Sequence, residues 1–465
     1  MKNALLLICL FLICLNRKAS AQDFIIIDKI SIEGNNKTNP EVILRELDIV
    51  EHDTISLSLL AARMSLNEKR LISIGLFTQA DINISHWNVE ESKGTLSVKV
   101  KENWFIYPYI LFDLADRNFD VWRKEFNYSL KRVNYGLSLK HINLTGMKDY
   151  LQFKIQTGFT QKYELRYQYP YLKNGWGYNG GFLYKSNKEV NYRTESNKPV
   201  FNRSEDERTL LRQWMISAGL YRRVNAFIFQ QFQAEYNYIG TDPFVRETLN
   251  PFFLAEGKDK IRFFSADYFI KYDKRLYPLY PLGGFAGSFN VRKDGIPGMD
   301  DVNFTSLTIG MEQTWSLRPF YFTSVANIKT TFQGRKRMPY FLNKAVGYFP
   351  DVLTGHQLFV SDGTDFYVHK NAVKVRLFEK NYTLNKFMPN QLRTMNTKIF
   401  MRMNFDLAYV YDPTHAEGNS YVNTWIYGYG PSIDVILYNF VTLSITYGST
   451  HDGRRGLYFV SDVNF

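Results

Sequence analysis

The run from Thr424 to Phe465 restricts the fold more than any other stretch, because it alternates strictly. Tyr429, Pro431, Ile433, Val435 and Leu437 make one face almost wholly apolar, while Gly428, Gly430, Ser432 and Asp434 make the other small or polar. After Tyr438-Asn439-Phe440 the pattern restarts, with Val441, Leu443, Ile445 and Tyr447 set against Thr442, Ser444 and Thr446. A polar loop, Gly448 to Arg455, precedes a final run with Leu457, Phe459, Val463 and Phe465 on one face and Asp462 and Asn464 on the other. A period of two is the signature of a strand.

A soluble sandwich also alternates, so the recurrence of the pattern is what decides. Phe232, Ala234, Tyr236 and Tyr238 alternate with Gln233, Glu235 and Asn237; Leu307, Ile309 and Met311 with Thr308, Gly310 and Glu312; Val373, Val375 and Leu377 with Lys374 and Arg376. Repeated segments of about ten residues with one greasy and one polar face fit a transmembrane barrel with a wet lumen. Hydrocarbon admits strands only when every backbone group is paired, which demands closure. The 362 residues from Trp104 to Phe465 give about sixteen strands at about 23 residues per strand and connection, an even number as in bacterial barrels. An aromatic content of 16% suits interfacial girdles. Mean hydropathy is negative, and the absence of a long apolar run after the first 21 residues excludes a helical membrane protein.

Long polar connections fall near Asp116 to Val133, Lys188 to Arg208, Gly240 to Lys260 and Gln333 to Asp362. Shorter ones fall near Asn143 to Lys148, Lys173 to Gly177 and Leu317 to Pro319. This is the alternation expected of outer and inner ends. Glu379 to Asn396 breaks it, placing a long segment on the inner side.

Residues 1–21 read as a secretory signal peptide: Lys2, an apolar core from Ala4 to Leu15, and Ala19-Ser20-Ala21 as the cleavage site. Both cysteines, Cys9 and Cys14, lie inside it, so the exported chain is expected to form no disulfide and no thiolate metal site. Without Lys2, Arg17 and Lys18, 54 basic residues face 45 acidic ones, a net of +9. Spread along the chain, this excess is no nucleic-acid footprint; barrel rims and an anionic outer leaflet account for it.

From Asp23 to Asn103 the order reads β-α-α-β-β. Ile30 to Glu33 ends the first strand, Asn39-Pro40 opens a helix, a second helix runs from about Leu57 to Ile74 and stops at Gly75, and strands follow at about Thr78 to His86 and Thr95 to Lys101. Ile32-Glu33-Gly34-Asn35-Asn36-Lys37-Thr38, Leu71-Ile72-Ser73-Ile74-Gly75-Leu76-Phe77 and Val98-Lys99-Val100-Lys101-Glu102-Asn103-Trp104 resemble, in order, the opening, the second-helix end and the exit strand of a POTRA domain. Such a small sheet has an open edge that can take an extended chain by β-augmentation.

Asn143-Leu144-Thr145-Gly146 and Tyr167-Gln168-Tyr169-Pro170-Tyr171-Leu172 extend the likeness to the bacterial surface antigen superfamily, of which BamA and TamA are members. The resemblance implies that the loop between the eleventh and twelfth strands folds back into the lumen and presents an Arg-Gly-aromatic tip to an aspartate on the thirteenth. The matching positions are Thr354, Gly355 and His356, with Asp406 as the acid. Thr354 stands where the arginine is expected, and threonine offers one neutral hydroxyl in place of a bidentate cation. Arg402, on the same face of the strand, is then expected to satisfy Asp406. Phe459, Val463 and Phe465 are similar to the C-terminal signal by which barrel proteins are recognised for insertion. The seam is expected to join the strand at about Tyr107 to Ala115 to the last one; Pro108, beside Tyr109, lacks an N–H and either weakens that edge or lies just before the strand begins.

No nucleophile elbow, phosphate loop or His-Glu-x-x-His occurs, and the seven histidines are scattered without ligand spacing. The expectation is therefore a mainly β protein: a signal peptide over 1–21, one small α+β POTRA domain in the periplasm over 22–103 and a barrel of about sixteen strands over 104–465. It would act without cofactor or catalysis as an outer-membrane assembly or translocation factor in a Gram-negative bacterium. Its partners would be unfolded clients, outer-membrane lipid or lipopolysaccharide and periplasmic or lipoprotein accessory subunits, with no nucleic acid. A two-partner-secretion exporter and a passive porin are the alternatives.

Overall fold

The computed structural model describes residues 24–170, 175–225, 227–276, 278–333, 337–383, 394–414, 417–438 and 441–463. The proposed signal peptide and Phe465 lie outside these, and of Val463 only the backbone is described. The chain divides into two units: Met1–Tyr107 with His141–Tyr150, and Pro108–Lys140 with Leu151–Phe465.

The first unit contains β1 (Phe24–Glu33), α1 (Pro40–Glu46), β2 (Thr54–Ser56), α2 (Leu57–Ser73), β3 (Phe77–Asn88) and β4 (Lys93–Glu102). Its sheet has the order β2-β1-β4-β3, with β1 and β4 parallel. Asn39 caps α1 by accepting the Glu41 N–H at 2.9 Å, and Pro40 sits in the first turn, where its missing N–H costs nothing. Gly34 has φ +89°, and a Cβ there would lie 1.9 Å from the Val100 carbonyl oxygen. Ile25, Ile27, Val42, Ile43, Leu71, Leu96 and Val98 fill the core. The unexpected element is β2, three residues paired antiparallel with the start of β1 and too short to show a period.

In the second unit β5 (Ile106–Leu114), β6 (Val133–Ile142), β7 (Tyr150–Gly158), β8 (Thr160–Tyr169) and β9 (Trp176–Asn187) open one sheet. It continues with β12 (Leu211–Arg223), β13 (Ile228–Thr241), β14 (Lys260–Asp273), β15 (Gly284–Asp294), β16 (Phe304–Leu317) and β17 (Phe320–Gln333). The last five strands are β18 (Asp365–Thr383), β19 (Thr394–Tyr411), β20 (Trp425–Leu437), β21 (Val441–Thr450) and β22 (Arg455–Val463). These sixteen strands pair in sequence order, with β5 and β22 at the two ends. Between them, α3 (Phe119–Lys124) lies in the β5–β6 connection, and the hairpin β10 (Glu189–Glu195) and β11 (Lys198–Arg203) lies in the β9–β12 connection.

The sheet inverts the rule of soluble proteins. On β20 the outward residues Trp425, Tyr427, Tyr429 and Ile433 are exposed, whereas Gly428, Ser432 and Asp434 are buried. Exposed aromatics on one face and buried polar groups on the other require an apolar medium outside and satisfied polar groups within. Among the described residues no helix is long and apolar enough to cross a membrane.

Of the segment expected to be a long inner loop, Glu379 to Asn396, the described residues 379–383 and 394–396 are instead paired strand. β18 and β19 stay paired, with one register shift between Arg376 and Phe378, down to Thr383 opposite Thr394, past the point where β17 stops at Val375 and β20 stops at Thr397. A ladder supplies these backbone groups with partners that a loop would have to find in water. Residues 384–393 lie outside the description.

Candidate functional site

The connection from β17 to β18 supplies the tip Thr354-Gly355-His356, which is buried together with Leu353 and Gln357. Each of the last four strands contributes one contact to it. On β19, Asp406 accepts the Thr354 N–H at 2.8 Å. On β20, Gly428 passes so close that an added Cβ would stand 1.8 Å from the Thr354 carbonyl oxygen. On β21, Gly448 leaves room for Gly355, whose N would lie 2.6 Å from such a Cβ. On β22, the Tyr458 hydroxyl donates to the Gly355 carbonyl at 3.0 Å. Gly355 itself has φ +82°, a left-handed turn that glycine adopts without cost.

His356 packs against Tyr421, with ring centroids 5.3 Å apart, and stacks on His451 at 5.7 Å and 7°. Its Nε2 is buried without a hydrogen-bond partner, and burial pushes its pKa down to about 4. The rest of the loop is tied down as firmly. Arg117 donates to the carbonyls of Gly347 at 2.8 Å, Phe359 at 3.0 Å and Leu358 at 3.1 Å, and Lys370, opposite Asp406 in register, donates to the Pro350 carbonyl at 2.6 Å.

Arg402 does not serve Asp406. The two are four residues apart on β19, about 13 Å along a strand, and Arg402 turns instead to its diagonal neighbour Asp434 on β20, with nitrogens 2.8 and 3.0 Å from the two carboxylate oxygens. In place of the expected arginine, a backbone N–H of the tip meets Asp406 directly, a contact that any residue at 354 except proline can make.

A second insertion comes from the opposite end, since successive connections of an antiparallel sheet alternate ends. The β14–β15 connection sends Tyr280 inward, where its hydroxyl donates to Asp434 at 2.7 Å and its ring meets Phe400 at 4.8 Å. Lys374 lies 4.3 Å from the same ring and donates to the Pro281 carbonyl at 3.1 Å. Tyr280, Tyr321, Phe400 and Ile436 thus close into an apolar knot. Sequence reading missed this plug: the connection does repeat, as Leu276-Tyr277-Pro278-Leu279-Tyr280-Pro281-Leu282, but a period of three is neither that of a strand nor that of a helix and does not say where Tyr280 goes.

Between the two insertions lies a cavity of about 700 Å³, bounded by Thr354, Asp406, Arg402, Lys374 and Tyr280. Its wall includes Phe112, Asp113 and Leu114 of β5 and also Phe459 and Val460 of β22. The two ends of the sheet therefore face the same space.

Residues 25–103 match the POTRA family model described as surface antigen variable number repeat. The structure is similar to BamA from Haemophilus ducreyi lacking POTRA domains 1–3, with a TM-score of 0.64 at 14% identity over 95% of this chain and 85% of that one. The chain is a POTRA-plus-barrel protein with the BamA fold. The POTRA-barrel protein is also similar to CdiB from Acinetobacter baumannii, at a TM-score of 0.51 and 11% identity over 95% of this chain and 74% of that one. No curated protein sequence matches it.

In this POTRA-barrel protein Pro108 lies within β5, exposed, and Tyr109 beside it is half-buried. An end strand is where a residue without an N–H is tolerated. The Tyr109 hydroxyl accepts from the Gln152 side chain at 2.6 Å. Phe459, half-buried, packs edge-on against Phe119 of α3 at 5.8 Å.

Proposed function

We propose that the protein is an outer-membrane assembly or translocation factor in which the POTRA domain, 22–103, receives unfolded clients in the periplasm and the barrel, 104–465, passes them into or across the membrane at its seam. The observation that supports this best is the occluded lumen, entered by Thr354-Gly355-His356 from one end and by Tyr280 from the other, around a cavity bordered by both β5 and β22. A passive pore needs an open bore, whereas a cavity with an insertion on either side and flanked by the sheet ends suits lateral exit. In the POTRA domain, β3 is a twelve-residue end strand of the kind that binds extended chain through backbone bonds.

The action is non-enzymatic. Client folding supplies the driving force, residues 1–21 direct export, and lipopolysaccharide and accessory subunits are the further partners. Phe459, Val463 and Phe465 serve as the signal for the protein's own insertion.

Cysteines placed at Tyr109 or Ile110 and along Tyr458 to Val463 test the seam on a background whose native cysteines are confined to residues 9 and 14. The expected result is loss of activity on oxidation, restored by reductant, in a barrel that stays folded. Full activity of the locked protein would overturn the seam and transfer the reading to export through the lumen, as in two-partner secretion.

A further inference from the structure

The last strand of a sheet presents backbone groups that seek a partner. On β22, Phe459 donates its N–H to the Asp120 carboxylate at 2.8 Å, so that this N–H is turned away from the ladder with β21. Residues two apart along a strand point their backbone groups to the same edge, which puts the Leu457 carbonyl on that outer edge as well. There it accepts from Arg123 at 3.2 Å and Lys124 at 3.3 Å.

All three side chains belong to α3, in the β5–β6 connection. Asn118 fixes the start of this short helix by accepting the Val121 N–H at 2.9 Å. Asp120 is itself buried and held by Arg123 at 2.8 Å, while Lys124 lies over the Tyr458 ring at 4.4 Å and Phe119 covers Phe459. A carboxylate set against an N–H and two cations set against a carbonyl reproduce the polarity of a neighbouring strand.

We propose that α3 is a latch: its side chains occupy the pairing groups of β22 at Leu457 and Phe459, and an extended chain adding to this edge must first displace it. The partner that fits the uncovered edge is a strand-forming segment, bound through its backbone. The proposal rests on the seam reading above and adds to it a removable cover on one specific strand.

The test uses the full-length barrel in liposomes, with a photo-crosslinking residue at Val460 and a synthetic peptide of residues 455–465 as the probe strand. Three variants are compared with the parent: Asp120→Ala combined with Arg123→Ala and Lys124→Ala, which releases the latch; Asp120→Asn, which keeps an acceptor; and Phe119→Cys with Phe459→Cys joined by a short bis-maleimide, which adds to both thiols and holds it shut. Heat-dependent electrophoretic mobility confirms that each barrel is folded.

The released variant is expected to exchange its Leu457–Val460 amides faster, on the order of tenfold, as fits the loss of a charge-assisted hydrogen bond. It should also capture more peptide, with Asp120→Asn close to the parent and the joined variant capturing none. Unchanged exchange in the released variant overturns the latch whatever the peptide does. Faster exchange with no capture by any form upholds α3 as the cover of this edge and overturns instead the seam reading beneath it.

Discussion

Asp406 receives the backbone N–H of Thr354 at 2.8 Å across the interior of the barrel. A carboxylate on the wall thereby holds a loop tip that brings no cation of its own to the contact. Replacing Asp406 by alanine should cost about 1–3 kcal/mol of docking energy, the usual loss for a buried donor left without its charged acceptor. Asp406→Asn, which keeps an acceptor oxygen, should lose less, and Thr354→Val, which keeps the N–H, less than Asp406→Ala. Proteolysis of the loop at Arg337 to Lys344 reports the docked fraction. Equal susceptibility of Asp406→Ala and the parent would show that the contact holds nothing.

Gly428 offers a steric version of the same test. A Cβ there would sit 1.8 Å from the Thr354 carbonyl oxygen, whereas at Gly180 the nearest atom would be 3.6 Å away. Gly428→Ala should expel the tip and expose the loop to protease, and Gly180→Ala should leave it protected, both in barrels with normal heat-dependent mobility. Protection in both variants would mean that the tip does not seat against β20.

His356 makes the docked loop sensitive to acid. Burial lowers its pKa from 6.5 to about 4, so the undocked loop binds a proton more readily than the docked one. The sign follows: docking is at full strength above about pH 6.5 and weakens as pH falls toward 4. His451, Tyr421, Asp452 and Arg454 face the ring, and its Nε2 is buried without a hydrogen-bond partner. Loop protection followed against pH should fall over this interval in the parent and flatten in His356→Phe; a parent with no pH dependence there would refute it.

The two insertions act as barriers in series. Tyr280→Ala removes the hydroxyl held by Asp434 and the ring packed on Phe400, yet the bore remains closed by the loop. Bilayer conductance should stay near the parent value in Tyr280→Ala alone and in Asp406→Ala alone, and rise severalfold only when both are combined. A large conductance from Tyr280→Ala alone would mean that the loop carrying Thr354-Gly355-His356 does not seal.

The strands were legible because a barrel wall separates two solvents at every residue. The alternation of Tyr429, Ile433 and Val435 with Gly428, Ser432 and Asp434 is that separation written along the chain. Counting strands located the loop and the thirteenth strand, but it was the resemblance that implied the meeting of the tip with Asp406, since period-two patterning does not say that a loop folds into the lumen. Cross-strand detail was beyond reach. The partner of Arg402 depends on the register that places Asp434 diagonally across from it, and period-two patterning does not state register. Tyr280, the latch on α3 and the extended β18–β19 hairpin escaped for a related reason: each depends on where a connection goes rather than on what it is made of. Gly428 was visible as a small residue on the polar face, but only the approaching loop explains why it must be small.

The four contacts of the loop tip also set an order of events. The loop is made between β17 and β18, but Asp406, Gly428, Gly448 and Tyr458 arrive with β19, β20, β21 and β22. A nascent barrel therefore has its stopper in hand well before it has a seat for it, and the loop is fully seated only when the final strand is in register. A seated tip is thus a certificate of completed assembly: in a chain cut short before Tyr458 it would be held by three strands instead of four, and protease would find it first.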